Sequence, residues 1–600
     1  MNPDRFMSLF PCAESPVSFA RLMRPLAGAM TVLMCCCHCP AFADSGDTLR
    51  YESLPPPPYI PQGTIFVSPG GSDDTGDGSS AAPYRSIAAA LSTADSGDVI
   101  NCREGIYNEP EGVRFRRPGI TLQSHPGEWA VIQAPYDNEE TAIAVYLDVH
   151  ASYTTLRRLD ISGGYYYGVS TETRWDWGDP ADRSGCSHIL VEDCRIHDTG
   201  RDCIKIKPNC DFVTIRRCEI YNSGRQYPPG ETEGNAEGVD NVNGDWMLVQ
   251  DCHVHDIFST GIYFKGGAAG GVVERCRIEN CGAGGVMAGF DTSPEYFDTD
   301  INPRYYENIY GIVRNCMITG TRYAGIGLYA ARGARILNNT IIDAAREGHA
   351  ALYFGVPFQD WEPDAGRPPC VDVQLVNNLV IVPRGSDALA CSIRYTEELG
   401  GLSALSGMPV MDHNLYFHAG GTVFFEDNRP ESLLDKGTLA EWRAHIQGEA
   451  HSMEADPMLD REGYPSAAGP AAGAGITHAL VAYDLNQNSR TGLYDIGACE
   501  TTGAADIPEQ HPYASVFDLA VYPNPLNSRA VVIWRMPEKQ TAAIGLYDIT
   551  GKRSRILAEG LFESGVHRAV LGTDDLCSGL YFIRLLTGRL QYTRKLILVK

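Results

Sequence analysis

A repeat constrains this chain more than any other feature. The segments "ILVEDCRIHDTG", "VTIRRCEIYNSG", "MLVQDCHVHDIF", "GVVERCRIENCG", "GIVRNCMITGTR", "RILNNTIIDAAR" and "VQLVNNLVIVPR" each read as a short alternating strand followed by a second one. Their equivalent positions Cys194, Cys218, Cys252, Cys276 and Cys316, then Asn339 and Asn378, recur about every two dozen residues, or further apart where a loop is inserted. Strands at that period, with no helical periodicity between them, predict a solenoid of short parallel strands. Counterparts in neighbouring coils then lie about 4.8 Å apart, so one sequence position becomes a column along the axis. The cysteine column reads as small apolar side chains filling the interior, and the asparagines as an amide ladder. Thiols in line at one per coil do not converge tetrahedrally on zinc.

Before the repeats, "IFVSPGGSDDTGDGSSAAPYRSIAAALSTADSGDVINCREGIY" (65–107) reads as a strand, a polar loop, an amphipathic helix and a first coil. Such a helix would cap the open end of the solenoid. The acidic loop 71–80 has the spacing of a solvated turn rather than that of a known calcium loop. With these segments and the closing "LYDIGACE" (493–500), the chain resembles the secreted right-handed parallel β-helix proteins of the pectate lyase-like superfamily over roughly residues 63–500. The resemblance implies an all-β fold: a right-handed parallel β-helix with an N-terminal helical cap.

The flanks read differently. Residues 1–43 hold Arg21 and Arg24, the apolar run "PLAGAMTVLMCCCHC" and "AFA", the three-part layout of an export signal cleaved after Ala43. A lipoprotein signal through Cys35 is disfavoured by Leu33 and Met34. Residues 44–62 form a proline-rich linker, and 501–515 a second linker. Residues 516–600 alternate as a small β-sandwich. Their "YPNP", "LYDITG" and "SGLYF" resemble the C-terminal sorting domain of type IX secretion cargo. That implies secretion machinery as a partner and a secreted or cell-surface location; a plain structural sandwich is the alternative. The formal charge of −26 excludes nucleic acid and anionic lipid surfaces as main partners. No run beyond the leader is long enough to span a membrane. A monomer is expected.

The candidate site comes from aligning "YGVSTE" (167–172), "CIKIK" (203–207), "GVDNVN" (238–243), "GIYFK" (261–265), "GVMAGFD" (285–291) and "GIGLY" (325–329). With Val169, Ile204, Val239, Ile262, Val286 and Ile326 inward, one outward row reads Ser170, Lys205, Asp240, Tyr263, Met287, Gly327. The next reads Glu172, Lys207, Val242, Lys265, Gly289, Tyr329. Lys205, Lys207, Lys265, Asp240 and Glu172 are thus expected together on one exposed sheet face, with Asp202, Glu237 and Asp291 at its margins. Insertions 173–187, 291–308 and 357–370 would leave one edge of that sheet and 225–236 the other, walling a groove with aromatics such as Trp175, Trp177, Tyr296 and Trp361. Glu172, Tyr263, Trp175, Trp177 and Tyr296 are the candidate substrate contacts. The bland alternative is a set of solvated ladder pairs, Lys205 beside Asp240 and Lys207 beside Glu172.

The resemblance implies cleavage of an acidic, uronic-acid-containing polysaccharide by β-elimination. That chemistry needs the sugar carboxylate neutralised and a base beside the adjacent proton. Lys265 is the preferred base and Lys207 its substitute, with Lys205 close enough to tune them. Asp240, Glu237, Asp202 and Asp291 are the candidate Ca²⁺ ligands, hard donors for a hard ion. Compared with calcium-dependent pectate lyases, "NAEGVDNVNGD" is a looser acidic cluster, and chondroitinase-B-like and alginate lyase-like variants stay open. A glycoside hydrolase is the alternative enzyme: "GRDCIKIK" resembles the "DDCI" strand of polygalacturonases through Asp202, although Arg201 replaces the first acid and "EGHAALYFG" around His349 replaces Gly-His-Gly. A non-catalytic glycan-binding or adhesin solenoid is the third reading. His188, His197, His253 and His255 read as satisfied structural histidines.

Overall fold

In the computed structural model, residues 63–501 are described except 176–181, 233, 358–365, 398–399 and 461, as is most of 518–598. The proposed signal peptide, the linker 44–62, all of the linker 501–515 but its first residue, Trp177 and Trp361 lie outside the described residues.

Three parallel sheets of twelve strands each run the length of the solenoid, and in each the strand order follows chain order. Sheet I runs from Thr64–Val67 to Val410–Asp412, sheet II from Val113–Phe115 to Leu434–Gly437, and sheet III from Gly105–Asn108 to Met453–Glu454. The fold is a right-handed parallel β-helix, as the repeat and the resemblance predict. Only the last pairing of sheet II, Phe425–Asp427 with Leu434–Gly437, is antiparallel among these three sheets.

The corner from sheet I to sheet III explains the repeat. Asp193, Arg217, Asp251, Arg275, Asn315, Asn338 and Asn377 each take positive φ there, one per coil, and the next residue is the cysteine or asparagine of the column. Left-handed backbone at a residue with a Cβ costs about 1–2 kcal/mol, and the corners are braced in compensation. Arg217 reaches Asp193 at 2.6 Å and Arg275 reaches Asp251 at 2.8 Å, each bridging one coil to its neighbour. The cysteines are buried and unbridged, packed in the core with the column Ile196, Ile220, Val254, Ile278, Ile318, Ile341, Val380. The amide ladder forms as expected and runs one coil further: Asn339 Nδ2 donates to Asn378 Oδ1 (3.0 Å), and Asn378 Nδ2 to Asn414 Oδ1 (3.2 Å). It ends on buried Glu449, which accepts from Asn414 (3.1 Å) and from Tyr416 Oη (2.6 Å).

The expected cap helix is Ile87–Thr93, with Ser86 as N-cap accepting from Ala89 N and with Ile87 and Ala90 buried. In the loop before it, Asp73 accepts from Arg85 N and Ser86 N, so this acid closes a turn. A second helix, Leu439–Ile446, covers the other end. It carries a Thr438/Glu441 capping box, and its Trp442 stacks on Phe425 with centroids 5.4 Å apart. The closing segment packs outside the coils: Ile496 joins Leu379 and Leu415, and Ala498 and Cys499 join Met317.

The C-terminal residues form an antiparallel three-stranded and an antiparallel four-stranded sheet around Val532, Trp534, Ile544, Leu546, Leu571, Ile583 and Leu596. This is the predicted sandwich.

Candidate active site

The outward row on sheet II falls in the expected register. Ser170 pairs with Lys205, Lys205 with Asp240, Asp240 with Tyr263, Tyr263 with Met287 and Met287 with Gly327, while Val242 pairs with Lys265. The inward row is in the core. Asp202 reaches the outward side through a break in alternation: Cys203 and Ile204 are both core residues, which leaves Asp202 free to face Lys205.

Three coils meet at Asp240. Lys205 Nζ bonds its Oδ2, and Lys265 Nζ lies 3.7 Å from its Oδ1, leaning back one coil over the Tyr263 ring at 4.4 Å. Lys205 also stands 3.9 Å from Asp202 Oδ2. Carboxylate oxygens of Asp202, Glu237 and Asp240 lie within 4.8 Å of one another. Ser259 Oγ donates to Glu237 Oε1 at 3.0 Å, and Asp202 Oδ1 accepts from Glu237 N at 3.2 Å. Gly266 and Gly267, both at positive φ, turn the chain sharply after Lys265, and Gly266 N donates to Glu307 at 2.9 Å.

Burial sets the electrostatics. Asp202, Glu237 and Asp240 are at most 2% exposed. Burial pushes the carboxyls of Asp202 and Glu237 above the ordinary range, and for Glu237 the neighbouring Asp202 and Asp240 push it further. Burial would raise Asp240 as well, but Lys205 and Lys265 outweigh it and hold that carboxyl low. For Lys205 burial opposes the charged amine, yet Asp240, Tyr167 and Asp202 prevail and hold its pKa above the ordinary value. The expected tuning of the lysines by one another is therefore replaced, at Lys205, by tuning from acids.

The face expected to be exposed is largely roofed, with the side chains of Lys205 and Lys265 keeping 14% and 11% exposure. Insertion 173–187 ties to insertion 291–308 through Trp175 Nε1, which donates to Glu295 O at 2.9 Å, and through the Arg183–Asp298 pair. Arg367 and Glu307 form a buried ion pair at 3.0 Å that anchors the base of the second insertion. Trp175 and Tyr263 are 7% and 5% exposed, so they act as packing rather than as open ring platforms. Tyr263 stacks on Phe290 (5.0 Å) within a cluster that includes Met287, Tyr329 and Tyr353. Tyr296 is half-buried, and its carbonyl accepts from Asn243 Nδ2 at 2.6 Å. Lys207 and Glu172 form a separate pair at 2.9 Å, and Tyr146 Oη donates to Glu172 at 2.6 Å. Asp291 is not among the three converging acids. Loop 225–236 contributes a contact that the sequence reading missed: Arg201 Nε donates to Asn235 O at 2.9 Å, beside Glu237.

The acid trio suits a hard cation. Asp202 Oδ2 and Asp240 Oδ1 are buried oxygens without a hydrogen bond, and three carboxylates in one place offer the donors that Ca²⁺ prefers. Lys205 supplies part of the same positive charge from within the chain.

Residues 233–356, which include Glu237, Asp240 and Lys265, match the family model described as "Right handed beta helix region", and residues 520–600 match "Secretion system C-terminal sorting domain". The chain thus joins a parallel β-helix, part of which matches that model, to a C-terminal segment that matches a sorting-domain model. Among solved structures this β-helix protein is similar to the pectate lyase Pel9A (14% identity, 74% of this chain and 98% of that chain, TM-score 0.44). It is also similar to XylC in complex with xylose (13%, 73% and 99%, 0.46) and to the A-module of the Azotobacter vinelandii mannuronan C-5 epimerase AlgE4 (12%, 57% and 84%, 0.37). No curated protein sequence matches it.

Proposed function

We propose that this protein is an exported enzyme that cleaves a uronic-acid-containing polysaccharide by β-elimination over sheet II. The observation that carries this reading is the meeting of Lys205, Lys265 and three buried carboxylates, from three successive coils, around Asp240. In elimination the base takes the proton beside the sugar carboxylate, the C–O bond at the next carbon breaks, a C=C bond forms, and the departing oxygen takes up a proton. Lys265 is the base. Its amine leans on Asp240 at 3.7 Å, whereas Lys205 is bonded to that carboxylate and kept charged by it. A charged Lys205 neutralises the substrate carboxylate and so stabilises the negative charge that develops as the proton leaves. Lys207, the substitute base, has its amine committed to Glu172.

Asp202, Glu237 and Asp240 would hold Ca²⁺, which when bound would neutralise the same sugar carboxylate. The C-terminal domain supports export through a type IX secretion pathway to the medium or the cell surface.

A second reading has one observation in its favour: the raised carboxyls of Asp202 and Glu237 would suit a general acid in a hydrolase. Lys265→Met separates the two. Elimination predicts a loss of activity of about 10³-fold in a variant that still folds and unfolds cooperatively; activity retained in that variant would remove Lys265 as base and favour hydrolysis.

A further inference from the structure

The outward face of sheet III holds a second cluster unrelated to the lysines. His253 and His255 flank core residue Val254 on the strand His253–Ile257, so both rings project outward, with centroids 4.2 Å apart. Glu219 of the preceding coil is in register with His253, and Glu279 of the following coil with His255. The contacts cross diagonally: His255 Nε2 lies 3.5 Å from Glu219 Oε1, and His253 Nε2 lies 3.5 Å from Glu279 Oε2.

Contrary to the expectation of satisfied histidines, neither Nε2 makes a hydrogen bond although both are shielded from solvent. His197, two coils before His255 in the same column with Tyr221 between, shows the satisfied state, with its two nitrogens 2.9 Å from Asp160 and 2.7 Å from Asp198. In His255 the other nitrogen, Nδ1, lies 2.8 Å from Asp256 Oδ2. A carboxylate there places the ring proton on Nδ1 and leaves the Nε2 lone pair for a ligand, as metal-binding histidines require. Glu219 keeps Oε1 for the cluster while Arg195 lies 3.3 Å from its Oε2. Arg277, beside His253 in register, turns away to Tyr464 Oη at 2.7 Å.

We propose that Glu219, His253 and His255 bind one zinc-class divalent ion, with Glu279 as a fourth donor, so that the metal clasps three successive coils. The donor atoms of Glu219, His253 and His255 lie within 4.8 Å of one another. Tetrahedral zinc with bonds of about 2.0–2.2 Å spaces its ligands roughly 3.3–3.6 Å apart, so small side-chain movements close the shell. Two imidazoles with carboxylate select a borderline ion over calcium.

The test titrates the exported full chain with Zn²⁺ in excess Ca²⁺, so that all-oxygen sites are filled, and records the visible spectrum with Co²⁺ as substitute. One equivalent should bind, with the intense bands of a tetrahedral nitrogen–oxygen site and a rise in melting temperature. His255→Gln and His253→Gln should each weaken binding by at least the roughly 10- to 100-fold that loss of an outer partner costs. His451→Gln, at the separate Asp412/His413/His451 group, should leave it unchanged. Absence of zinc binding and of the cobalt bands in the wild-type chain would overturn the proposal and leave His255 as an ion-paired surface histidine. Equal binding by wild type and both variants would overturn it by locating the ion elsewhere. Neither outcome bears on the lysines of sheet II.

Discussion

At the scale of single residues, Asp240 is the hinge of the site because it keeps both lysines in place. Asp240→Asn removes the acid that holds Lys205 charged, and activity should fall about 10²-fold or more in a steady-state assay, while Lys207→Met, away at Glu172, should keep most of it. Lys205, Asp240 and Lys265 were legible in sequence because strand parity and coil period are strict; the outward row needed nothing else. Their burial was not, because it comes from insertions whose path local pattern does not encode. Trp175 and Tyr263 looked like sugar platforms for the same reason, and became packing once Glu295 and Phe290 closed over them. Glu192 is a residue whose role is stability. Burial would raise its carboxyl, but Arg216 and Arg157 outweigh it and hold it at about 2 against an ordinary 4.5, with Arg217 at 2.8 Å. Its contribution is complete above pH 4.5 and is lost as pH falls toward 2. Glu192→Gln should cost about 3 kcal/mol in urea unfolding at neutral pH, with the gap to wild type closing through that acid window.

At the scale of elements, the corner and the ladder carry the architecture. The spacing of cysteines and asparagines announced the column, but the left-handed residue preceding each member is a backbone property that no side-chain pattern displays. Asn414 escaped the alignment because insertions before it broke the period, although "HNLYFH" has the same form as "NNLVIV". The Leu439–Ile446 helix was missed despite its T-x-x-E start, a capping box. Asn378 accepts from Asn339 and donates to Ile336 O and Asn414, so Asn378→Ala should lower stability by about 2–4 kcal/mol in chemical denaturation. At the other end, burial beside the cap helix raises Glu109 to about 7, against a hydrogen bond from Ile87 N. The stability linked to its proton is present below the ordinary 4.5 and is lost as pH rises through 7. Glu109→Gln should therefore melt higher than wild type above pH 7, by an amount worth about 1–3 kcal/mol, and show little difference in mild acid.

At the scale of the whole molecule, the β-helix turns distant sequence positions into neighbours and leaves the loops to decide what reaches them. Lys205 and Lys265 are 60 positions apart by their numbers, yet both contact one carboxylate because two turns of the coil separate them. Among the described residues no helix is long and apolar enough to cross a membrane. The fold class and the sandwich were readable because repeats and alternation are long-range averages over many residues, whereas the reaction depends on a few side chains and on the walls around them. The most direct measurement is mass spectrometry of the products that the purified protein releases from a panel of acidic polysaccharides. Elimination at the Lys265 site predicts oligosaccharides one water lighter than hydrolysis products, each with an unsaturated, ultraviolet-absorbing uronate at its non-reducing end. Saturated oligosaccharides carrying the added water would contradict it.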